Sequence, residues 1–359
     1  MIVLFFKGDC IMGAINVPWT ESKYSKNQIN KAGKKICDDI SDEDKKESYK
    51  IVANWRAAHA YPLYVISHKL RKICGKKSMV VHRLKRMDSI IGKLKRNPGM
   101  SLYGMQDLGG CRVIVPTIKD VYKIANEYEN SRIRHILCKE NDYLKEPKPD
   151  GYRCLHRVYE YKSDDVNSKY NRMKIEIQFR TYLQHLWATA VEVFSLHINA
   201  NLKSGVGDPQ YFRFFALVST LFAMEEEFPL VPNTPNYFED VVSEILSLDG
   251  MYEIINKLGT ATVVAKSFNE VQQGADLFLM SLDLKFREIK VSGYKYSQIE
   301  QAITDYDELE KRRDTNNVLV YAKSLRELKA AYPNYFGDIG RFLEKLVGYI
   351  NEYKEERQE

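Results

Sequence analysis

Lys174-Ile-Glu-Ile-Gln-Phe-Arg-Thr181 alternates apolar and polar side chains. That period of two predicts a strand with Ile175, Ile177 and Phe179 on one face and Glu176, Gln178 and Arg180 on the other. A wholly polar face carrying both signs of charge does not belong in a core, so it is expected to line a cleft. Upstream, Asp150-Gly-Tyr-Arg-Cys-Leu-His156 sets a glycine turn just before an aromatic, a basic residue and a histidine. Such a rim suits a charged ligand with a flat ring.

Outward from these stretches, the patterning gives an α+β chain. Residues 111–116 read as a strand and 118–128 as a helix, with further strands at 133–141, 154–161 and 172–179. Residues 83–96 read as a helix that stops before Asn97-Pro98-Gly99. Before it, 23–80 reads as helices, with Ile51, Val52, Trp55, Ala58, Leu63, Ile66, Leu70 and Ile73 at helical spacing and a break at Pro62. An amphipathic helix carrying Trp187 and Glu192 is expected over 181–197, then helices at 211–228 and 237–258 joined by a proline-rich turn at 229–235. A second pattern begins near 261: strands at 261–268, 276–283, 286–291 and 317–323 around a helix at 297–311, then a terminal helix at 338–353. The expected division is a tail at 1–22, a first domain at 23–260 and a second at 261–359.

At 359 residues, with 44% hydrophobic and 28% charged residues, the composition is that of a globular protein with a substantial core. No apolar run approaches the ~20 residues that span a membrane. Met1-Ile-Val-Leu-Phe-Phe6 is too short for a signal peptide core and lacks a basic lead, and Met12 is an alternative start. A cytoplasmic monomer is expected. Cys10, Cys37, Cys74, Cys111, Cys138 and Cys154 are scattered and never form a Cys-x-x-Cys pair, so reduced thiols are expected. No histidine follows His197 and no cysteine follows Cys154, which excludes a Cys/His zinc site from residues 198–359.

Net charge is +6, but the excess is local. Lys69, Arg71, Lys72, Lys76, Lys77, Arg83, Lys85, Arg86, Lys93, Lys95 and Arg96 face one acid, Asp88, within that span. The run reads either as a solvated helical face or as a partner for phosphates, from a nucleotide or an RNA backbone.

Four stretches in register resemble the synthetase domain of the RelA/SpoT family: Arg83-Leu-Lys85 with Ser89 and Lys93, Asp107-Leu-Gly-Gly-Cys-Arg112, Gly151-Tyr-Arg-Cys-Leu-His156, and Glu176-Ile-Gln-Phe-Arg180. The resemblance implies a nucleotidyltransferase-like mixed sheet flanked by helices, and transfer of pyrophosphate from ATP to a ribose 3′-hydroxyl with Mg²⁺. It implies that Asp107 holds the metal and that Glu176 is the general base, which also shares the metal. The alternative for this pair is a capping aspartate and a salt-bridged strand glutamate. ATP would be bound by Arg83, stacked on adenine, by Lys85 and Ser89, and by Lys93 and Arg112 at the phosphates. The second arginine that encloses adenine in the family has no evident counterpart here. Tyr152 would stack on the acceptor base, with Arg153, His156 and Gln178 as further acceptor contacts. Cys154 stands where many relatives carry serine.

The acceptor implied is GDP or GTP, giving the alarmone (p)ppGpp, or the 3′-CCA adenosine of tRNA, which a toxic branch modifies to stop translation. The basic run, the lack of a preceding His-Asp hydrolase domain and the C-terminal region favour tRNA. That region resembles the inhibitory part of the fused toxin–antitoxin proteins called CapRel, in which a metal-free finger-like domain of pseudo-zinc-finger type inserts a Tyr-x-x-Tyr motif into the ATP site. Tyr332-Pro-Asn-Tyr335 has that form, in a chain with 24 tyrosines. In those proteins a phage protein, typically of the capsid, binds the C-terminal domain and releases the enzyme. A catalytically inactive RNA-binding module is the rival reading from another class.

Overall fold

A computed structural model describes residues 19–357, apart from 39–40, 76–77, 199, 201, 203–204, 262–264, 269–274, 284–287, 311, 313–314, 323 and 337–338. Most of the tail at 1–22, Cys10, Lys76, Lys77 and the start of the expected 261–268 strand therefore lie outside the described residues.

Three helices open the chain: α1 (Lys26–Lys35), α2 (Asp42–Ala58) and α3 (Ala60–Ile73). Then come β1 (Met79–Leu84), α4 (Met87–Arg96), β2 (Gly109–Val115), α5 (Ile118–Asn130), β3 (Ile136–Asp142), β4 (Leu155–Glu160) and β5 (Lys174–Thr181). Helices α6 (Tyr182–His197), α7 (Pro209–Glu225), α8 (Phe238–Tyr252) and α9 (Ile254–Thr260) follow. The remainder is β6 (Ala265–Phe268), β7 (Leu277–Asp283), β8 (Glu288–Tyr294), α10 (Ile299–Leu309), β9 (Thr315–Tyr321), α11 (Leu325–Ala331), α12 (Pro333–Phe336) and α13 (Gly340–Glu356).

The strands form one mixed sheet in the order β3-β4-β5-β2-β1-β9-β7-β8-β6. β2 and β5 run parallel, as do β6 and β8, and the other pairings are antiparallel. The strands after residue 261 thus extend the sheet of the first part, joined where His82 pairs Tyr321 and Arg83 pairs Val320. The α+β class and the helix-flanked mixed sheet are as expected.

The alternation at 174–181 works as written. Ile175, Ile177 and Phe179 are fully buried against Leu63 and Ile66 of α3 and Val121 and Tyr128 of α5. On the opposite face, Val81 and Ile114 pack with Tyr332, Tyr335 and Phe336, so α11 and α12 lie over the polar side of the sheet. A separate core joins α6 to α9 and receives Phe342 and Leu346 of α13.

Three expectations are corrected. Arg83 and Leu84 belong to a strand, and the helix begins only at Met87. The apolar period of 87–96 is helical, but β-branched Val80 and Val81 and two strand neighbours claim the residues before it. The break in the first helices falls at His59, while Pro62 sits in the first turn of α3, where a missing N–H costs nothing. The expected 237–258 helix is split by Glu253, whose φ of 51° is left-handed.

Candidate active site

Strand register brings the charged residues together. Arg83 pairs Gly110, and Gly110 pairs Glu176; in the next row Val81, Arg112, Gln178 and His156 stand side by side. Cross-strand partners share a face, so Arg83, Arg112, Glu176, Gln178 and His156 project together. Gly110 puts no side chain between Arg83 and Glu176, and the space becomes the floor of a cleft of about 310 Å³.

Asp107 enters just before β2 and Lys85 just after β1. The Asp107 Oδ2 accepts from Lys85 Nζ at 3.0 Å and from Lys93 Nζ, on α4, at 2.9 Å. Burial works against the Asp107 carboxylate, but the two lysines outweigh it and hold its pKa below the ordinary value. Burial lowers the pKa of Lys85 despite Asp107. The other oxygen, Asp107 Oδ1, is buried without a hydrogen-bond partner.

Across the cleft, Glu176 Oε1 lies 3.1 Å from His156 Nδ1, and Oε2 accepts from Gln178 Nε2 at 2.7 Å. His156 Nε2 is in turn 2.7 Å from the Tyr152 hydroxyl. Burial opposes a charged imidazole, yet Tyr152, Cys154 and Glu176 hold His156 well above the ordinary histidine range. Burial also opposes the Glu176 carboxylate, and His156 and Gln178 overcome it, so its pKa is lowered. A raised His156 pKa contributes stability that is complete below the unfolded value near ~6.5 and is lost as pH rises through the folded value. His156→Gln should therefore lower the Tm most below pH ~6.5, with the gap to the parent closing at higher pH. A gap that widens with pH would contradict the charged imidazole.

Tyr152 owes its place to Gly151, whose φ of 92° is left-handed. A Cβ there would lie 2.8 Å from Trp187 Cζ2 and 3.0 Å from the Ala216 backbone. The Tyr152 ring meets Tyr143 and His156 edge-on, at 5.9 and 5.6 Å between centroids.

Tyr332, at the end of α11, also lines the cleft and is only 3% exposed. The guanidinium carbons of Arg83 and Arg112 lie 5.9 and 5.3 Å from its ring centroid, within cation–π range. Arg112 Nη1 donates to the Ala331 carbonyl at 3.0 Å. Tyr335 does not line the cleft; its hydroxyl donates to Asn316 Oδ1 at 2.8 Å, and Arg86 donates to the same oxygen.

Of the residues singled out in the sequence, Arg83, Lys85, Asp107, Arg112, Tyr152, His156, Glu176 and Gln178 line the cleft. Lys93 reaches it through Asp107. Ser89 is half-buried on α4 and does not line it. Arg153 points away: its buried guanidinium pairs with Glu226 at 2.8 Å, because residues flanking Tyr152 in an extended loop face the other side. The reading missed Lys148, Asp150 and Arg180. Arg180 was already on the polar face of the alternation, and Lys148 and Asp150 precede the Gly151 turn. Burial and the neighbouring Arg112 push the Arg180 pKa down to about 9. Among the described residues no group of three or more His, Cys, Asp or Glu is placed to hold a metal alone, and no helix is long and apolar enough to cross a membrane.

Residues 82–195 match the family model described as "Region found in RelA / SpoT proteins". The GTP pyrophosphokinase YwaC of Bacillus subtilis (strain 168) is 31% identical over 132 residues, 35% of this chain and 61% of that protein. The GTP pyrophosphokinase YjbM of the same organism is 30% identical over 129 residues, 35% of this chain and 60% of that protein. The chain thus spans about three fifths of the length of these curated relatives. A solved GTP pyrophosphokinase family protein from Streptococcus pneumoniae is 25% identical, covering 52% of this chain and 91% of that one, with a TM-score of 0.39. The cleft-lining side chains of β1, β2, β4 and β5 all fall within 82–195, the part of the chain that matches the region found in RelA/SpoT proteins.

Proposed function

We propose that the chain is a pyrophosphokinase, which moves the β,γ-pyrophosphoryl group of ATP to a ribose 3′-hydroxyl, and that α11 and α12 hold it closed. The observation that carries this reading is the convergence of Arg83, Asp107, Arg112 and Glu176 on one cleft within the RelA/SpoT region. Glu176, positioned by His156 and Gln178, takes the proton of the 3′-hydroxyl. That oxygen attacks the β-phosphorus, the bond from the β-phosphorus to the α–β bridging oxygen breaks, and AMP leaves. Lys85 and Lys93 place positive charge beside the phosphates.

The residues present fit Mg²⁺: Asp107 Oδ1 is buried and lacks a partner, and Glu176 lines the same cleft. Mg²⁺ is commonly held by one or two carboxylates together with substrate phosphates. Asp107 and Glu176 would hold it, and it would supply positive charge to neutralise the triphosphate.

Tyr332 gives the regulatory part of the proposal. A flat ring already lies beside both Arg83 and Arg112, where the adenine of ATP would stack. This reassigns Arg112 from the phosphates to the second wall of the adenine site. An effector that prefers the open state, such as a phage protein bound to the C-terminal segment, would release the enzyme.

The acceptor base is assigned to Tyr152, and two acceptors each have support. The names of the curated relatives favour GDP or GTP. Exposed Lys72, Lys95 and Arg96 favour the tRNA 3′ end. Arg71, Arg83, Lys85, Arg86 and Lys93 are engaged within the protein, which narrows the basic surface. ATP labelled in its β- and γ-phosphates, incubated with GDP, GTP and deacylated tRNA, tests the reading: label on a 3′-hydroxyl is expected, and label on none overturns it. If tRNA is the acceptor, reversing charge at Lys95 and Arg96 should weaken transfer to tRNA several-fold more than ATP binding. Equal loss of both would remove tRNA.

A further inference from the structure

We infer that α7, outside the RelA/SpoT region, sets the acceptor side of the cleft through two positioning residues, Ser219 and Glu226. The inference rests on Tyr152 being the acceptor platform. Tyr152 is flanked in sequence by two anchored residues. On one side, Ser219 Oγ donates to the Gly151 carbonyl at 2.6 Å. On the other, Arg153 Nη1 lies 2.8 Å from Glu226 Oε2, with the two side chains only 1% and 7% exposed. Glu226 lies seven positions after Ser219, two helical turns, so the helix residue and the cap lie on the same side of α7 and grip the loop around the ring. Glu226 is the C-cap residue just after the last residue of α7, Glu225.

Glu226 also holds the strand that carries the base. Its carboxylate accepts from the Thr181 hydroxyl and from Gln184 Nε2 at 3.1 Å. Thr181 is the last residue of β5 and forms a capping box with Gln184 at the start of α6. One buried carboxylate therefore ties the loop bearing Tyr152 to the strand bearing Glu176 and fixes their separation. A buried ion pair loses its compensation when one partner is neutralised, so the loop is the part expected to shift. Next to Glu226, Glu225 accepts from Lys345 Nζ at 2.6 Å and from the Tyr349 hydroxyl, linking the same helix end to α13.

The test uses the full chain carrying Tyr332→Ala, with calorimetric binding of GDP, deacylated tRNA and a non-hydrolysable ATP analogue. Glu226→Gln and Ser219→Ala should each weaken acceptor binding about tenfold while the ATP analogue changes less than about twofold, because only the acceptor platform is misplaced. Glu226→Asp, which keeps the charge, should recover part of the loss. Ser219→Ala removes a single hydroxyl and keeps the test decisive if Glu226→Gln fails to fold. Unchanged acceptor binding, or equal weakening of both ligands, overturns the inference. If neither acceptor binds the parent, or Tyr152→Ala leaves acceptor binding untouched, the assignment of Tyr152 fails and takes the inference with it. If Tyr152→Ala weakens acceptor binding and the α7 variants do not, the inference alone fails.

Discussion

Glu176→Gln should lower pyrophosphoryl transfer at least ~10²-fold, the ordinary cost of removing a general base. The protein should remain folded. The amide keeps a hydrogen-bond acceptor toward His156, and residue 176 lines the cleft rather than the apolar core formed by Ile175 and Ile177. What is lost is the charge that takes the proton and would help hold Mg²⁺. Asp107→Asn should cost a similar factor for a different reason: Lys85 and Lys93 lose the carboxylate that draws them to one point. Initial rates with Tm measured alongside check both variants. Retained activity in either would remove that residue from the assignment.

The second large effect runs the other way. Tyr332→Ala should raise activity about a hundredfold over the parent and make expression toxic, because truncating a buried aromatic removes roughly 3 kcal/mol, or about two decades, from the closed state. The residue is nearly inaccessible, and its ring contacts the two arginines assigned to adenine. Adding Glu176→Gln should abolish the toxicity. Tyr335→Ala should also open the enzyme, through loss of the Asn316 contact and of the packing of α11 and α12 on the sheet. A Tyr332→Ala variant no more active than the parent would make the C-terminal segment a sensor or positioning module.

The legible parts of this site were those governed by local periodicity. Alternation at 174–181 located the core face and the cleft face, and the Gly151 turn located Tyr152. Side-chain direction beyond a strand was not legible: Arg153 lies in the motif yet points to Glu226, a partner 73 positions away in sequence. The strand at Arg83 was hidden for the same reason, since its pairing to β2 and β9 comes from distant segments. Periodicity also assigned strands to the C-terminal segment, but nothing local reveals that they extend the first sheet through the His82–Tyr321 pairing. Tyr332 was found from a short string. Its position beside Arg83 and Arg112 depends on how α11 and α12 settle on the polar face.

The central claim is the transfer of pyrophosphate, and the nucleotide left behind tests it most directly. The full chain carrying Tyr332→Ala is incubated with α-labelled ATP, Mg²⁺ and GDP, GTP or deacylated tRNA, and the labelled product is resolved. Release of AMP in equal amount to the modified acceptor, and its absence in the Glu176→Gln partner, is the predicted result. Release of ADP, or AMP formed without modification of any acceptor, would contradict it.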